Sequence, residues 1–180
     1  KTGTPDVAEL LMAMGILSAK NYTSTGVFTP MDGLGMKEQR ARTVGRNPCF
    51  ECPVGCSQLK LARGEYEGIL AEGPELETVY SFGSGLGIDS LDAVITADRM
   101  CDEMGIDTMS AGVTIAFAME LYERGILTKE MTGGFELTFG NHAAMIELLR
   151  RMCLREGWLG DLLADGTKAA AEKLGGATHL

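Results

Sequence analysis

Apolar residues recur at helical spacing in several stretches of this chain, separated by segments in which no period holds. The clearest stretch is residues 90–104, where Val94, Ala97, Cys101 and Met104 fall at i, i+3, i+7 and i+10 while Asp92, Asp98, Arg99 and Glu103 take other faces. Gly105 stops that helix, and Asp107 or Thr108 is placed to cap a second one through Val113, Ala116, Phe117, Glu120 and Tyr122 to Gly125. A third amphipathic run follows Asn141 and passes through Ile146, Leu149, Met152 and Cys153 to Gly157. Near the start, the run VAELLMAM predicts a short helix over residues 6–14, with Thr4 or Asp6 as its N-cap and Gly15 at its end.

Weaker signals predict short helices at residues 36–44, 74–82 and 160–174. Residues 21–35 and 127–140 read as loops, with brief extended pieces at Val27 and Phe28 and at residues 135–139. No alternating pattern of useful length predicts a sheet, and no fixed-period repeat occurs. The expected fold class is therefore mainly α, an irregular multi-helix domain with long loops.

Composition acts chiefly by exclusion. At 180 residues, 45% hydrophobic and 23% charged, the chain suits one soluble globular domain. A net charge of −9 without a basic cluster excludes a nucleic-acid backbone as a natural partner. Apolar stretches such as residues 113–119 are too short to span a bilayer, and no basic-then-apolar leader opens the chain, so no membrane partner and a cytoplasmic location are expected. Starting at Lys1 and stopping at Leu180, the sequence reads as an excerpt of a longer protein, inactive by itself. Homodimer formation is compatible with the charge.

Candidate chemistry concentrates in three places. Cys49, Cys52 and Cys56 lie within eight residues, beside Pro48, Pro53 and Gly55, a spacing that suits thiolate ligands of a metal centre and not a disulfide framework. A zinc knuckle needs a further ligand pair that the isolated His142 and His179 do not provide. A [4Fe–4S] cluster accepts three close thiolates and one remote one. Cys101 and Cys153 sit on apolar helix stripes and are expected in the core, which puts the fourth ligand outside this sequence. Next, Glu72-Gly73-Pro74-Glu75-Leu76-Glu77 gathers three carboxylates at a turn and helix start, either as a solvated acidic turn or as a general acid or base. Finally, Asp102-Glu103-Met104-Gly105-Ile106-Asp107 offers two aspartates about a glycine stop, suited to plain capping or to receiving N–H bonds from a heterocycle.

Taken in order, CFECPVGC, EGPELET, FGSGLGIDSLDAVITADRMCDEMGID and FGNHAAMIELLRRMCLREG resemble the tungsten-dependent aldehyde:ferredoxin oxidoreductase family over nearly the whole chain. The resemblance implies the helical middle domain of a longer subunit, residues 1–180 forming one domain without the N-terminal sheet domain or the C-terminal helical domain. It implies Cys49, Cys52 and Cys56 as three ligands of a [4Fe–4S] cluster whose fourth cysteine lies in the missing C-terminal part. Asp102, Gly105, Ile106 and Asp107 match the first pterin-binding motif of a tungsten (or molybdenum) bis-pterin site, DxxG(L/I)D, with the second motif beyond Leu180. Glu77, or in the other register Glu75, is implied as the catalytic glutamate near the metal. The histidine that the family places near the metal has no recognisable counterpart here.

The activity so implied is interconversion of aldehydes and carboxylates, with ferredoxin or another electron-transfer protein as partner. Two alternatives stand beside it: a freestanding helical iron–sulfur electron-transfer or interaction module without pterin, and a branch of the family acting on another substrate such as an aromatic thioester or a hydroxy acid.

Overall fold

The structure, a computed structural model, describes residues 3–25 and 28–175. Its centre is a helical pair, α4 (Leu91–Met104) and α5 (Thr108–Glu123). Ser90 caps α4 by accepting from the Ala93 amide at 3.3 Å, and Gly105, left-handed at φ 67°, closes its far end with Ile106 N–H donating to Cys101 O at 2.9 Å. Val94, Ala97 and Cys101 are fully buried as the period predicts, whereas Met104 is 47% exposed because the last turn projects at the elbow. Asp98, expected on an outer face, is buried. α5 is buried on nearly all sides, and Gly112 lets α3 (Leu76–Phe82) approach so closely that a Cβ there would stand 2.6 Å from Ser81 Cβ.

Around this pair lie α1 (Asp6–Ala13), α2 (Met36–Arg42), α6 (His142–Leu154), α7 (Gly157–Leu163) and α8 (Thr167–Lys173). Asn141 caps α6, accepting from the Ala144 amide at 3.1 Å. At α1 neither expected N-cap acts as one: Pro5 holds that position, and the Thr4 hydroxyl instead accepts the Leu76 amide at 2.9 Å, capping α3. α2 is tied to α4 by Arg42, which grips Asp92 with Nε–Oδ1 3.1 Å and Nη2–Oδ2 2.7 Å while the Arg63 amide donates to the same carboxylate at 2.7 Å.

A sheet not foreseen from the pattern completes the frame. β3 (Thr43–Arg46), β4 (Gln58–Leu61) and β5 (Leu70–Glu72) form an antiparallel ladder with Thr43 opposite Lys60 and Lys60 opposite Ala71, packed on α4. In β4 the alternation is inverted: Gln58 and Lys60 point inward and are buried, while Leu59 and Leu61 are only partly so. An apolar-period search has nothing to find there. A second ladder of two-residue strands, β1 (Ser18–Ala19) and β2 (Ser24–Thr25), borders the loop before α2. Of the two expected extended residues, Val27 lies outside the described residues and Phe28 is a buried non-strand residue. Residues 135–139 contain no strand. Among the described residues no helix is long and apolar enough to cross a membrane.

Candidate functional site

All three clustered thiols sit in the hairpin loop between β3 and β4. The neck of this loop is closed by Asn47 N–H donating to Ser57 O at 3.2 Å and by the Glu72 carboxylate, which accepts from Asn47 Nδ2 at 2.6 Å and Ser57 Oγ at 3.0 Å. Within it, Cys52 N–H donates to Cys49 O at 3.0 Å, Glu51 and Gly55 adopt φ of 56° and 53°, and the Arg46 guanidinium holds the Val54 and Gly55 carbonyls at 3.1 and 2.7 Å. Cys49 and Cys56 are exposed and Cys52 is partly so. Hydrogen bonds from the backbone at Gly55 and Val54 hold the Cys52 thiol below its ordinary pKa, favouring thiolate.

These donors suit a thiolate-held cluster, and amide hydrogen bonds to sulfur are among the features that tune one. Among the described residues, however, no three His, Cys, Asp or Glu side chains are gathered closely enough to hold a metal ion as they stand. Cys101 is buried on α4, with burial pushing its thiol up to about 12, and Cys153 is partly buried with its thiol likewise raised by burial. Both are inert packing thiols, as the helix pattern predicts.

The acidic turn separates its three carboxylates into different environments. Glu72 belongs to the neck of the thiol loop. Glu75, half-buried at the N-cap of α3, accepts a short hydrogen bond from the Thr4 hydroxyl and lies within electrostatic reach of the buried ammonium of Lys60. Glu77 is exposed on the first turn of α3 and faces a groove of about 240 Å³ bordered by Leu11, Ile16, Tyr22, Tyr80 and Met109. Of the two glutamates, Glu77 is thus the one that borders this groove.

At the elbow, Gly105 and Asp107 do the capping foreseen for them. Asp107 Oδ2 accepts the Ser110 amide at 2.7 Å, and that bond holds its carboxyl below the usual range. Asp102 is not used in a cap; its carboxylate stands exposed on the last turn of α4. Ile106 borders, with Ser110, Ala111, Thr114 and Leu163, a cavity of about 330 Å³ between the elbow and α7.

Direct contacts join the three places. Gly3 lies against the Cys56 carbonyl, where a Cβ would stand 2.6 Å away, and Thr4 beside it bonds the head of α3. From α3, the Thr78 hydroxyl meets that of Thr108 at 3.0 Å, one residue beyond Asp107. Ser81 Oγ donates to Thr108 O at 3.2 Å. The sequence alone did not single out Lys60, and it did not assign Thr4, Thr78 or Asp98 to this site. Lys60 is 1% exposed and reaches the Pro74 carbonyl at 3.5 Å. The Asp98 carboxyl is pushed up to about 7 by burial first and by Asp102 one turn away second. The available hint was the i, i+4 spacing of Asp98 and Asp102 on one helix.

Residues 1–180 match the family described as "Aldehyde ferredoxin oxidoreductase, domains 2 & 3". The tungsten-containing aldehyde ferredoxin oxidoreductase of Pyrococcus horikoshii is 37% identical over 183 residues, which cover 99% of this chain and 29% of that protein. Its namesake in Pyrococcus furiosus is 37% identical over 177 residues, 97% of this chain and 28% of its own. An "Aliphatic sulfonate oxidoreductase, WOR-like subunit" of the same organism is 39% identical over 126 residues, covering 69% of this chain and 20% of that one. Less than a third of each relative's length is therefore represented. In fold, the chain is similar to the active site complex BamBC of benzoyl coenzyme A reductase, with TM-score 0.73 and 24% identity, covering 98% of this chain and 25% of that one.

Proposed function

Because the chain belongs to the aldehyde ferredoxin oxidoreductase family, we propose that it is the helical middle domain of an oxidoreductase that interconverts aldehydes and carboxylates and passes electrons to ferredoxin. The observation that carries this reading is the frame of hydrogen bonds and close contacts joining the thiol loop, the Glu77 groove and the Asp102–Asp107 elbow.

Within this reading, Cys49, Cys52 and Cys56 hold a [4Fe–4S] cluster, with the fourth ligand supplied from elsewhere in the full protein. Asp102, Gly105, Ile106 and Asp107 hold one pterin of a tungsten (or molybdenum) bis-pterin, Asp102 through its exposed carboxylate and Gly105 by exposing backbone at the left-handed turn. When bound, the metal and cluster supply two-electron chemistry at carbon and one-electron outflow. Glu77 takes or orients the proton that leaves as the aldehyde hydrate is oxidised, since it faces the groove. Glu75, held by the Thr4 hydroxyl, fixes the turn that presents Glu77. A cytoplasmic location fits the same reading.

The test is made on the full-length protein. Metal analysis is expected to find tungsten or molybdenum together with iron; a preparation loaded with neither metal sinks the proposal. Cys52→Ser is expected to lose iron and ferredoxin reduction, while Cys153→Ala keeps both, and equal losses in the two variants would overturn the ligand assignment.

A further inference from the structure

The polar cluster beneath the Gly73–Glu77 turn is not accounted for by the chemistry above. Lys60 enters it from β4 and is 1% exposed, Asp98 enters from α4 and is 5% exposed, and Asp98 Oδ2 has no hydrogen-bond partner. Gly73 covers that oxygen: a Cβ there would stand 2.7 Å from it, so the turn and the carboxyl are in contact. The Lys60 ammonium reaches the Pro74 carbonyl, at the long limit of 3.5 Å, and among the described residues it forms no ion pair with a carboxylate. Three N–H donors on a buried lysine and one unused carboxyl oxygen, both set against the Gly73–Pro74 turn, make an arrangement that a small movement would rearrange.

We propose that Lys60 and Asp98 are positioning residues that form a proton-controlled latch on the turn carrying Glu77. With Asp98 protonated, Lys60 holds the Pro74 carbonyl and the turn is fixed. When Asp98 gives its proton to solvent, the ammonium turns to the new carboxylate, Pro74 is released, and Glu77 shifts relative to its groove. The groups facing Asp98 are Lys60 from β4, Glu75 and Thr78 from α3, and Asp102 and the Cys101 thiol from α4; Asp6 of α1 acts on Lys60 from its other side. Burial and the acidic neighbours favour the protonated form, while the positive charge of Lys60 favours ionisation, which places the balance near neutrality. The consequence for turnover rests on the role proposed for Glu77; the latch itself does not.

Hydrogen exchange tests the latch without any cofactor. In the full-length protein, protection of the peptide spanning residues 73–82, corrected for intrinsic exchange, is expected to fall several-fold across the pH unit either side of about 7. Asp98→Asn is expected to abolish that transition. Asp102→Asn, which removes the exposed charge one turn away that disfavours the carboxylate, is expected to move it to lower pH and serves if Asp98→Asn does not fold. A flat profile in the wild type, or an unmoved transition in Asp102→Asn, overturns the proposal. Absence of tungsten and molybdenum from the same preparation would sink the functional reading and leave this measurement intact.

Discussion

At the scale of single residues, two carboxylates two positions apart carry different duties because of what surrounds them. Glu75 is bonded by Thr4 and faced by a buried ammonium, whereas Glu77 is exposed toward the groove. Glu77→Gln is therefore expected to lower turnover in the full-length enzyme by about 10²–10⁴-fold with metal and iron content retained. Glu75→Gln is expected to cost far less in turnover and more in stability. Steady-state rates beside metal analysis decide it, and a Glu77→Gln variant with wild-type turnover would remove Glu77 from the mechanism. The acidic turn was legible in the sequence, but which glutamate faces the groove was a matter of register. The neighbours that separate them come from Thr4 and Lys60, far away along the chain.

Among elements, the joint between α3 and α5 sets where Glu77 stands relative to the elbow. It depends on Gly112, where an added Cβ would meet Ser81 Cβ at 2.6 Å and the Ser81 carbonyl carbon and oxygen at 2.8 Å. Alanine favours a helix interior over glycine by about 1 kcal/mol, but main chain pressed to such distances cannot yield cheaply, and overpacking of this kind costs about 1–3 kcal/mol. Gly112→Ala is expected to lower the denaturation midpoint and weaken the Thr78–Thr108 contact. An alanine variant as stable as the wild type would show that the joint relaxes freely. Helices α4, α5 and α6 were legible because Ser90, Asp107 and Asn141 cap where the apolar period begins. The sheet was not, because its strands have three or four residues and β4 turns its polar side inward. Thr4 misled for a related reason: a side chain suited to capping its own helix caps a different one across the fold.

For the whole molecule, opposing groups of carboxyls set the dependence of stability on pH. Asp92, against the cost of its burial, is held low by Arg42 and the Arg63 amide, and Glu147 is held down to about 2 by Arg150 and Arg151. A carboxyl lowered on folding stabilises above its unfolded pKa and loses that contribution as pH falls through its folded value, so Glu147 loses its contribution between roughly pH 4 and pH 2 and Asp92 loses its own as pH falls below the unfolded aspartate range. Part of the Glu147 contribution is screened, its ion pairs being half-exposed. Asp98 acts with the opposite sign. Raised from 3.8 to about 7, it is protonated in the fold where the unfolded chain has already ionised, so stability declines as pH rises between these values. The two effects oppose each other across the unfolded carboxylate range, so the combined contribution of these carboxyls is greatest on the acid side of neutrality, between roughly pH 4 and pH 5. Asp98→Asn isolates the second effect. The stability difference between wild type and variant is expected to drift against the wild type by up to about 4 kcal/mol from pH 4 to pH 8, measured as paired urea midpoints on the full-length protein. A difference that stays constant over that range would mean that Asp98 titrates as an ordinary surface aspartate, and that the buried cluster beneath the turn is solvated in solution.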